Sequence, residues 1–209
     1  RSRSLLFLAL GLAVAERASS PLWIAENGFA SLNPPLGPDR RGSLSTHTTH
    51  PRFLHELADL IKDVGGHGLI ENPFATLTKG DMFRRVADAV GVDAASTYLS
   101  ETNSCSHTDA RFRGVVGASC GVCFGCLVRR AAFVASEIPD KTTYLVNDTS
   151  GRFDAFIQQK SIVEPMRDFA DRGIRMRDVM AMSLPPGYAA QDALALTQRG
   201  VEELRSLFT

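Results

Sequence analysis

The stretch Ala118-Ser-Cys-Gly-Val-Cys-Phe-Gly-Cys126 decides how this chain can fold, because it holds three cysteines at two-residue spacing. The fourth cysteine lies upstream, separated from this group by 14 residues. Zn²⁺ prefers four soft ligands in a tetrahedron, with each thiolate about 2.3 Å from the metal. Gly121 and Gly125 allow the backbone to turn closely around such an ion. We therefore predict a structural zinc site with no open coordination position for catalysis. The predicted ligands are Cys105, Cys120, Cys123 and Cys126.

Three other uses of the cysteines stay open at this point. A disulfide framework fits poorly, because cysteines three apart along a turn pair awkwardly and small disulfide scaffolds are far richer in cysteine. An iron–sulfur cluster could bind the same four thiolates. A redox-active C-x-x-C pair is a third interpretation, but it leaves the other two cysteines without a use.

The composition indicates a globular chain with a sizeable core. Of its 209 residues, 44% are hydrophobic, and 23 basic residues balance 23 acidic ones. A chain without net charge is a poor candidate for non-specific binding to nucleic acid or to an anionic membrane. The composition also excludes collagen-like, disordered and multi-span membrane classes. We expect neither a nucleic acid nor a membrane as partner.

The N-terminus allows two interpretations. Two arginines precede an apolar run of 11 residues, Leu5 to Ala15, which imitates a secretory signal peptide. The run is too short for a transmembrane helix, which needs roughly 20 residues. The alternative is a buried helix over 2–18 that is apolar all round. We favour the helix, because the cysteines indicate a reducing, cytoplasmic location.

The following segments have an α/β rhythm. Leu22–Ala25 is predicted as a buried strand, and Glu26-Asn-Gly28 as the turn at its end. Residues 31–51 contain prolines and glycines and are predicted to be an irregular binding loop or lid. An amphipathic helix over 53–64 and a short strand at 69–70 follow.

The remainder of the chain is predicted to be mainly helical. Thr78-Lys-Gly-Asp81 begins a capped helix that ends at Gly91, with an inner stripe that includes Met82 and Val90. Further helices are predicted over 127–137, 161–182 and 189–207, with an extended segment over 142–146. We assign 1–100 to a nucleotide-binding α/β domain, 101–137 to the four-cysteine lobe and 138–209 to a helical extension.

Three motifs together resemble 7-cyano-7-deazaguanine synthases and synthase-like proteins of bacterial anti-phage defence operons. They are Cys120-Gly-Val-Cys-Phe-Gly-Cys-Leu-Val-Arg-Arg-Ala-Ala-Phe133, Leu77-Thr-Lys-Gly-Asp81 and the arginine-led helix that starts at Arg3. The resemblance covers about residues 1–135, in matching order. It implies a parallel-sheet PP-loop ATPase-like layer, followed by a zinc-stapled helical lobe.

The resemblance also implies an activity. The synthases use ATP, with Mg²⁺, to adenylate the carboxylate of a carboxy-deazaguanine, and ammonia then displaces AMP. Lys79 is the expected catalytic residue, near the phosphates, and Asp39 is expected to recognise the deazapurine. The expected nucleotide and substrate contacts are Arg1, Arg3, Asn27, Asp39, Arg40 and Thr78. Arg129 and Arg130 are expected to cap and pair within the cysteine lobe.

The sequence also departs from the synthases. The loop over 26–51 is longer, and no segment resembles the Ser-Gly-Gly-x-Asp-Ser loop that cradles pyrophosphate, so we expect the chain to start after that loop. In the defence branch the acceptor amine is expected to belong to a protein or a defence-complex partner, and a homodimer is a further expectation. The competing hypothesis is a non-catalytic zinc-bearing interaction module.

Overall fold

A computed structural model describes residues 2–34, 48–107, 115 and 117–209, apart from the side chains of Ser2 and Arg3. The chain divides into two compact units. The first unit contains 1–78 and 174–197, and the second contains 79–173 and 198–209. These units cut across the three segments assigned from the sequence, and that assignment stays a prediction.

The described residues form a mostly helical chain with one small sheet. In chain order, the elements are α1 (Ser2–Arg17), β1 (Leu22–Trp23), α2 (Gly28–Leu32), α3 (Pro51–Asp63), β2 (Ile70–Glu71), α4 (Lys79–Val90), α5 (Val92–Glu101), α6 (Phe124–Ala135), a 3₁₀ turn (Leu145–Asn147), α7 (Asp154–Lys160), α8 (Val163–Arg172), α9 (Met176–Met180) and α10 (Ala190–Phe208).

The sheet of the first unit has two parallel strands. β1 and β2 pair with Leu22 opposite Ile70 and Trp23 opposite Glu71. This confirms both predicted strands and the parallel arrangement, although β1 is shorter than predicted and is not buried, since Trp23 is 64% exposed. A core of Leu8, Leu54 and Leu57 packs with the strands. The carboxyl ends of the two strands lie at one edge, where open α/β sheets bind ligands.

Helix α1 confirms the predicted helix but not its burial on all sides. Leu8 and Leu12 are buried, whereas Phe7 is 64% exposed and Val14 is 70% exposed. The apolar run is therefore one-sided in its packing. None of the helices in the described part of the chain combines the length and apolar character that a membrane span requires.

Helix α4 begins at Lys79, as predicted from the T-x-x-D pattern, but its buried face is rotated from the expected one. Phe83 is buried, and Val86 packs beside it. Met82 is only half-buried, and Val90 is exposed. The reason is that α5, which the sequence analysis missed, and α6 pack on the Phe83 side of α4.

Other boundaries differ in detail. α3, α6 and α10 match predicted helices to within a few residues. The helix predicted over 161–182 is divided into α8 and α9, because Gly173, with φ +69°, ends α8. The segment over 142–146 contributes one isolated parallel bridge, Ser119 to Tyr144, before the 3₁₀ turn.

Candidate metal centre

The four cysteines come together in the second unit. All are free thiols, and their sulfur atoms lie within 4.8 Å of one another. The Sγ atoms of Cys120 and Cys126 are 3.8 Å apart. A tetrahedron with metal–sulfur bonds of about 2.3 Å has edges of about 3.8 Å, so the cluster fits a single ion of the size of Zn²⁺. A four-iron cluster would separate the thiolates more widely.

The turn between the first two clustered cysteines has the geometry of a metal-binding knuckle. Gly121 has φ +84°, a conformation that favours glycine. The N–H of Val122 points back and donates to the Cys120 sulfur at 3.4 Å. Cys123 is the N-cap residue of α6, and Cys126 lies in the first turn of that helix. Local backbone geometry therefore aims three sulfurs at one point.

Cys105 reaches the cluster from the segment after α5. Its backbone N–H donates to the Asn103 side chain at 2.7 Å, and its sulfur accepts from the Cys120 N–H at 3.4 Å. This approach requires Gly125, because a Cβ there would lie 2.0 Å from the Ser104 carbonyl oxygen. Gly125 thus serves close packing between chain segments.

The surroundings of the cluster are apolar. Val122, Leu145, Phe153 and Phe156 are buried around the cysteines. Backbone hydrogen bonds join residues 119–120 to 143–146, with the Val146 N–H donating to the Cys120 carbonyl at 3.2 Å. Such an environment strengthens the interaction between thiolates and a cation, because the local dielectric is low.

Hydrogen bonds among the thiols shift their pKa values in opposite directions. The bond with Cys120 lowers the pKa of Cys105 from 9.0 to about 6. Bonds with Cys105, Cys120 and Cys126 lower the pKa of Cys123 strongly. The pKa values of Cys120 and Cys126 rise, chiefly through their bonds with Cys105. Some thiols thus hold protons that stabilise neighbouring thiolates, and a metal ion would replace those protons.

Two arginines of α6 support the lobe, as expected from the sequence. Arg129 is 1% exposed, and its guanidinium donates to the carbonyls of Leu99 and Thr102 at the end of α5 and, at 3.0 Å, to the Thr142 hydroxyl. A cation is favoured at a helix C-terminus. Arg130 donates to the Gly121 carbonyl at 3.1 Å and so braces the knuckle.

The residues expected to contact nucleotide or substrate are placed differently. Asn27, in the first unit, is fully buried. Its Oδ1 accepts from the Ala30 N–H at 2.9 Å, which caps α2, and its Nδ2 donates to Glu26 at 2.7 Å. The structure gives Asn27 a capping role, and its contact with a substrate stays a prediction.

Thr78 and Lys79 are consecutive residues on either side of the boundary between the units. Thr78 is fully buried and Lys79 is half-buried. The next backbone donor, the Gly80 N–H, donates to the Glu203 carboxylate at 3.1 Å. Glu203 was not among the residues predicted from the sequence to belong to the site. The sequence offers only a weak signal for it, an acidic residue next to Leu204 in the last predicted helix.

The other expected contacts lie outside what the structure describes. Arg1, Asp39 and Arg40 are not among the described residues, and Arg3 belongs to α1 but its side chain is not described. Their roles stay predictions.

Comparison with curated proteins gives the family relationship. A 7-cyano-7-deazaguanine synthase of Ralstonia nicotianae is 32% identical over 144 residues, which cover 69% of this chain and 56% of that protein. The synthase of Myxococcus xanthus is 29% identical over 147 residues, covering 68% and 55%. The chain is related to the 7-cyano-7-deazaguanine synthases. The relationship predicted from the three motifs is thus confirmed.

The match is partial in length. The chain spans about half the length of these relatives. The synthase of Cupriavidus taiwanensis shows a shorter and closer match, 37% identical over 91 residues, which cover 42% of this chain and 35% of that protein. No family model matches the chain, and no solved structure matches it significantly.

Proposed function

We propose that this chain forms part of an ATP-dependent ligase that resembles 7-cyano-7-deazaguanine synthases and acts in anti-phage defence. The observation that carries the ligase part of the proposal is the identity of 29 to 32% over more than two thirds of the chain to synthases of two bacteria. The defence part rests on the resemblance of the longer segment over 26–51 to the defence branch. The small parallel sheet and the four-cysteine cluster are compatible with such an enzyme.

The proposed reaction activates a carboxylate. An oxygen of the carboxy-deazaguanine carboxylate attacks the α-phosphorus of Mg²⁺-bound ATP, and pyrophosphate leaves. An amine, either ammonia or an amine of a protein, then attacks the carbonyl carbon, and AMP leaves. Both steps develop negative charge on phosphate oxygens, which a positioned ammonium stabilises.

Lys79 is the residue proposed to supply that ammonium. It is the first residue of α4, and the segment that begins at Asn72 connects β2 to this helix. The Asn72 side chain donates to the Glu26 carbonyl at 2.7 Å, which ties together the segments that follow the two parallel strands. Polar groups at the carboxyl ends of such strands are typical of ligand sites in α/β proteins.

The metal proposed for the four cysteines is Zn²⁺. Cys105, Cys120, Cys123 and Cys126 would hold it, and a tetrahedral site with four thiolates has a structural effect only. The compact spacing of the sulfur atoms supports one ion with four ligands.

An AMP-release assay tests the proposal. The full chain, with ATP, Mg²⁺ and carboxy-deazaguanine, should release AMP only when the deazaguanine is present. Lys79→Ala should lower kcat/KM by about 100- to 1,000-fold. Lys62→Ala is the control, because Lys62 lies on α3 with its side chain 60% exposed. Absence of deazaguanine-dependent AMP would contradict the proposal.

One observation favours the second candidate, a non-catalytic metal-bearing interaction module. Asn27, an expected substrate contact, is engaged by Ala30 and Glu26, and the Gly80 N–H next to Lys79 is engaged by Glu203. Isothermal titration with ATP separates the two candidates, because the module should not bind ATP. Binding that Lys79→Ala weakens would exclude the module.

A further inference from the structure

Helix α10 places a buried carboxylate against the first turn of α4. Glu203 is 9% exposed, and its Oε2 accepts the 3.1 Å hydrogen bond from the Gly80 N–H. Burying a carboxylate is costly unless its charge is compensated. The free N–H groups and the positive dipole end of a helix provide such compensation. This contact joins two positions that are 123 residues apart.

Gly80 is the residue that permits this approach. A Cβ at position 80 would lie 2.3 Å from the Glu203 Oε1 atom and 2.8 Å from its carboxyl carbon. Any larger residue would therefore displace the carboxylate. Glycine here is required by the close approach of a side chain and not by its backbone conformation, since Gly80 lies within the helix.

A second contact joins the same two helices. The Arg199 guanidinium is 3.7 Å from Asp81, which also pairs with Arg84 at 3.2 Å. The part of α10 that carries Glu203 is firmly packed, since Leu204 is 1% exposed. The next residue, Arg205, donates to the Ala170 carbonyl at 2.8 Å. Glu203 thus lies on a well-packed part of α10.

We infer that Glu203 is a positioning residue for Lys79. Lys79 directly precedes Gly80, so the orientation of this first turn sets the direction in which the lysine side chain leaves the backbone. Glu203 fixes that turn through the Gly80 N–H without contacting a reacting atom. The inference rests on the proposed function of Lys79, and it assigns a use to the last helix, which the motifs resembling the synthases do not cover.

The test measures kcat and KM for ATP in the AMP-release assay. Glu203→Ala should lower kcat by about 10- to 100-fold, because a displacement of about 1 Å at a reacting group has an effect of that order. The KM for ATP should change less than about threefold. Glu203→Gln should restore kcat to within about threefold, because its amide oxygen still accepts from the Gly80 N–H. Glu202→Ala, a neighbour whose side chain is 70% exposed, should leave kcat unchanged.

A purely structural role gives a different result. Glu203→Ala with a lower Tm but an unchanged kcat would overturn the inference, as would equal losses in the Gln and Ala variants. Glu203→Asp, which keeps the charge but withdraws it from Gly80, replaces the alanine variant if that variant does not fold. Its kcat should fall and its KM should not.

A separate measurement distinguishes failure of this inference from failure of the proposed function. If the wild-type chain releases no deazaguanine-dependent AMP, the proposed function fails. Amide hydrogen exchange then decides whether Glu203 orders the turn. Faster exchange at Gly80 with a shifted Lys79 resonance in Glu203→Ala, and neither in Glu202→Ala, supports the ordering. Unchanged exchange overturns it.

Discussion

Two helices of the second unit begin beside side chains that can carry negative charge, but that charge is stabilised in different ways. The start of α6 lies at the metal centre, where four thiols gather within 4.8 Å. The start of α4 meets the single carboxylate of Glu203. One carboxylate is stabilised by a backbone N–H and the helix dipole. Four crowded thiols become thiolates together only when a cation neutralises them. The metal ion proposed for the four cysteines would therefore stabilise the start of α6, whereas the contact at α4 uses protein groups.

Removing one of the proposed metal ligands should have the largest effect on the difference between the two helix starts. Cys126→Ser should abolish metal binding and unfold the lobe, because a structural zinc ion contributes about 10 kcal/mol or more to folding. Elemental analysis by mass spectrometry and thermal unfolding measure both effects. Ser106→Ala is the control. Ser106 donates to the Cys123 sulfur through its backbone N–H, which alanine keeps. A cooperative melt unchanged in Cys126→Ser would refute the dependence of α6 on metal.

A second variant destabilises the packing of α6 and keeps all four proposed metal ligands. Arg129→Met should lower the free energy of unfolding by about 3 kcal/mol, because buried carbonyls at the end of α5 lose their donors. Urea unfolding at saturating metal measures the loss. Arg167→Met, which removes an exposed ion pair with Glu164, should cost no more than about 0.5 kcal/mol. Equal effects of the two substitutions would contradict the structural importance of Arg129.

A smaller change tests the knuckle itself. Gly121→Ala should cost about 2 kcal/mol and weaken metal binding, because φ is +84° and the new Cβ would lie 2.6 Å from the Val146 side chain. Gly117→Ala is a matched control, with φ +81° but no atom within 4 Å of the new Cβ. Chelator competition gives the metal affinity of each variant. If both variants bind metal equally well, crowding at the knuckle has no effect.

Asn27 caps a helix of the first unit with an uncharged side chain, and its substitution gives the free energy contributed by a cap without charge. Asn27→Ala should lower the free energy of unfolding by about 1 kcal/mol, whereas Asn27→Ser should cost only a few tenths. Denaturant unfolding compares the two variants. A loss well above that in the alanine variant would mean that the bond from Asn27 to Glu26 contributes more than the cap.

The metal cluster could be predicted because its geometry is local in sequence. Two C-x-x-C steps and two glycines specify a turn into a helix, and α6 begins at the residue after Cys123. The approach of Cys105 was predicted only in outline. Its hydrogen bonds and the contact between Ser104 and Gly125, which are 21 residues apart, depend on packing that spacing alone does not specify.

Longer-range features escaped prediction for the same reason. Glu203 reaches Gly80 from the far end of the chain, and its burial could not be inferred from its charge. The rotation of α4 toward Phe83 follows from α5, whose ten residues contain only weak helical periodicity and follow Gly91 directly. Helix α1 had apolar residues on every side, so the sequence could not indicate which face would pack.

The distance in sequence between Cys105 and Cys120 has a consequence for how this lobe can change in evolution. The proposed metal, bound to both sulfurs, would link two positions separated by 14 residues of sequence. The entropy of closing a flexible loop grows only with the logarithm of its length, so doubling it costs about 0.6 kcal/mol. An extra residue inside either C-x-x-C step would instead alter the turn that aims two sulfurs together. Insertions between Cys105 and Cys120 would therefore leave the proposed metal site intact.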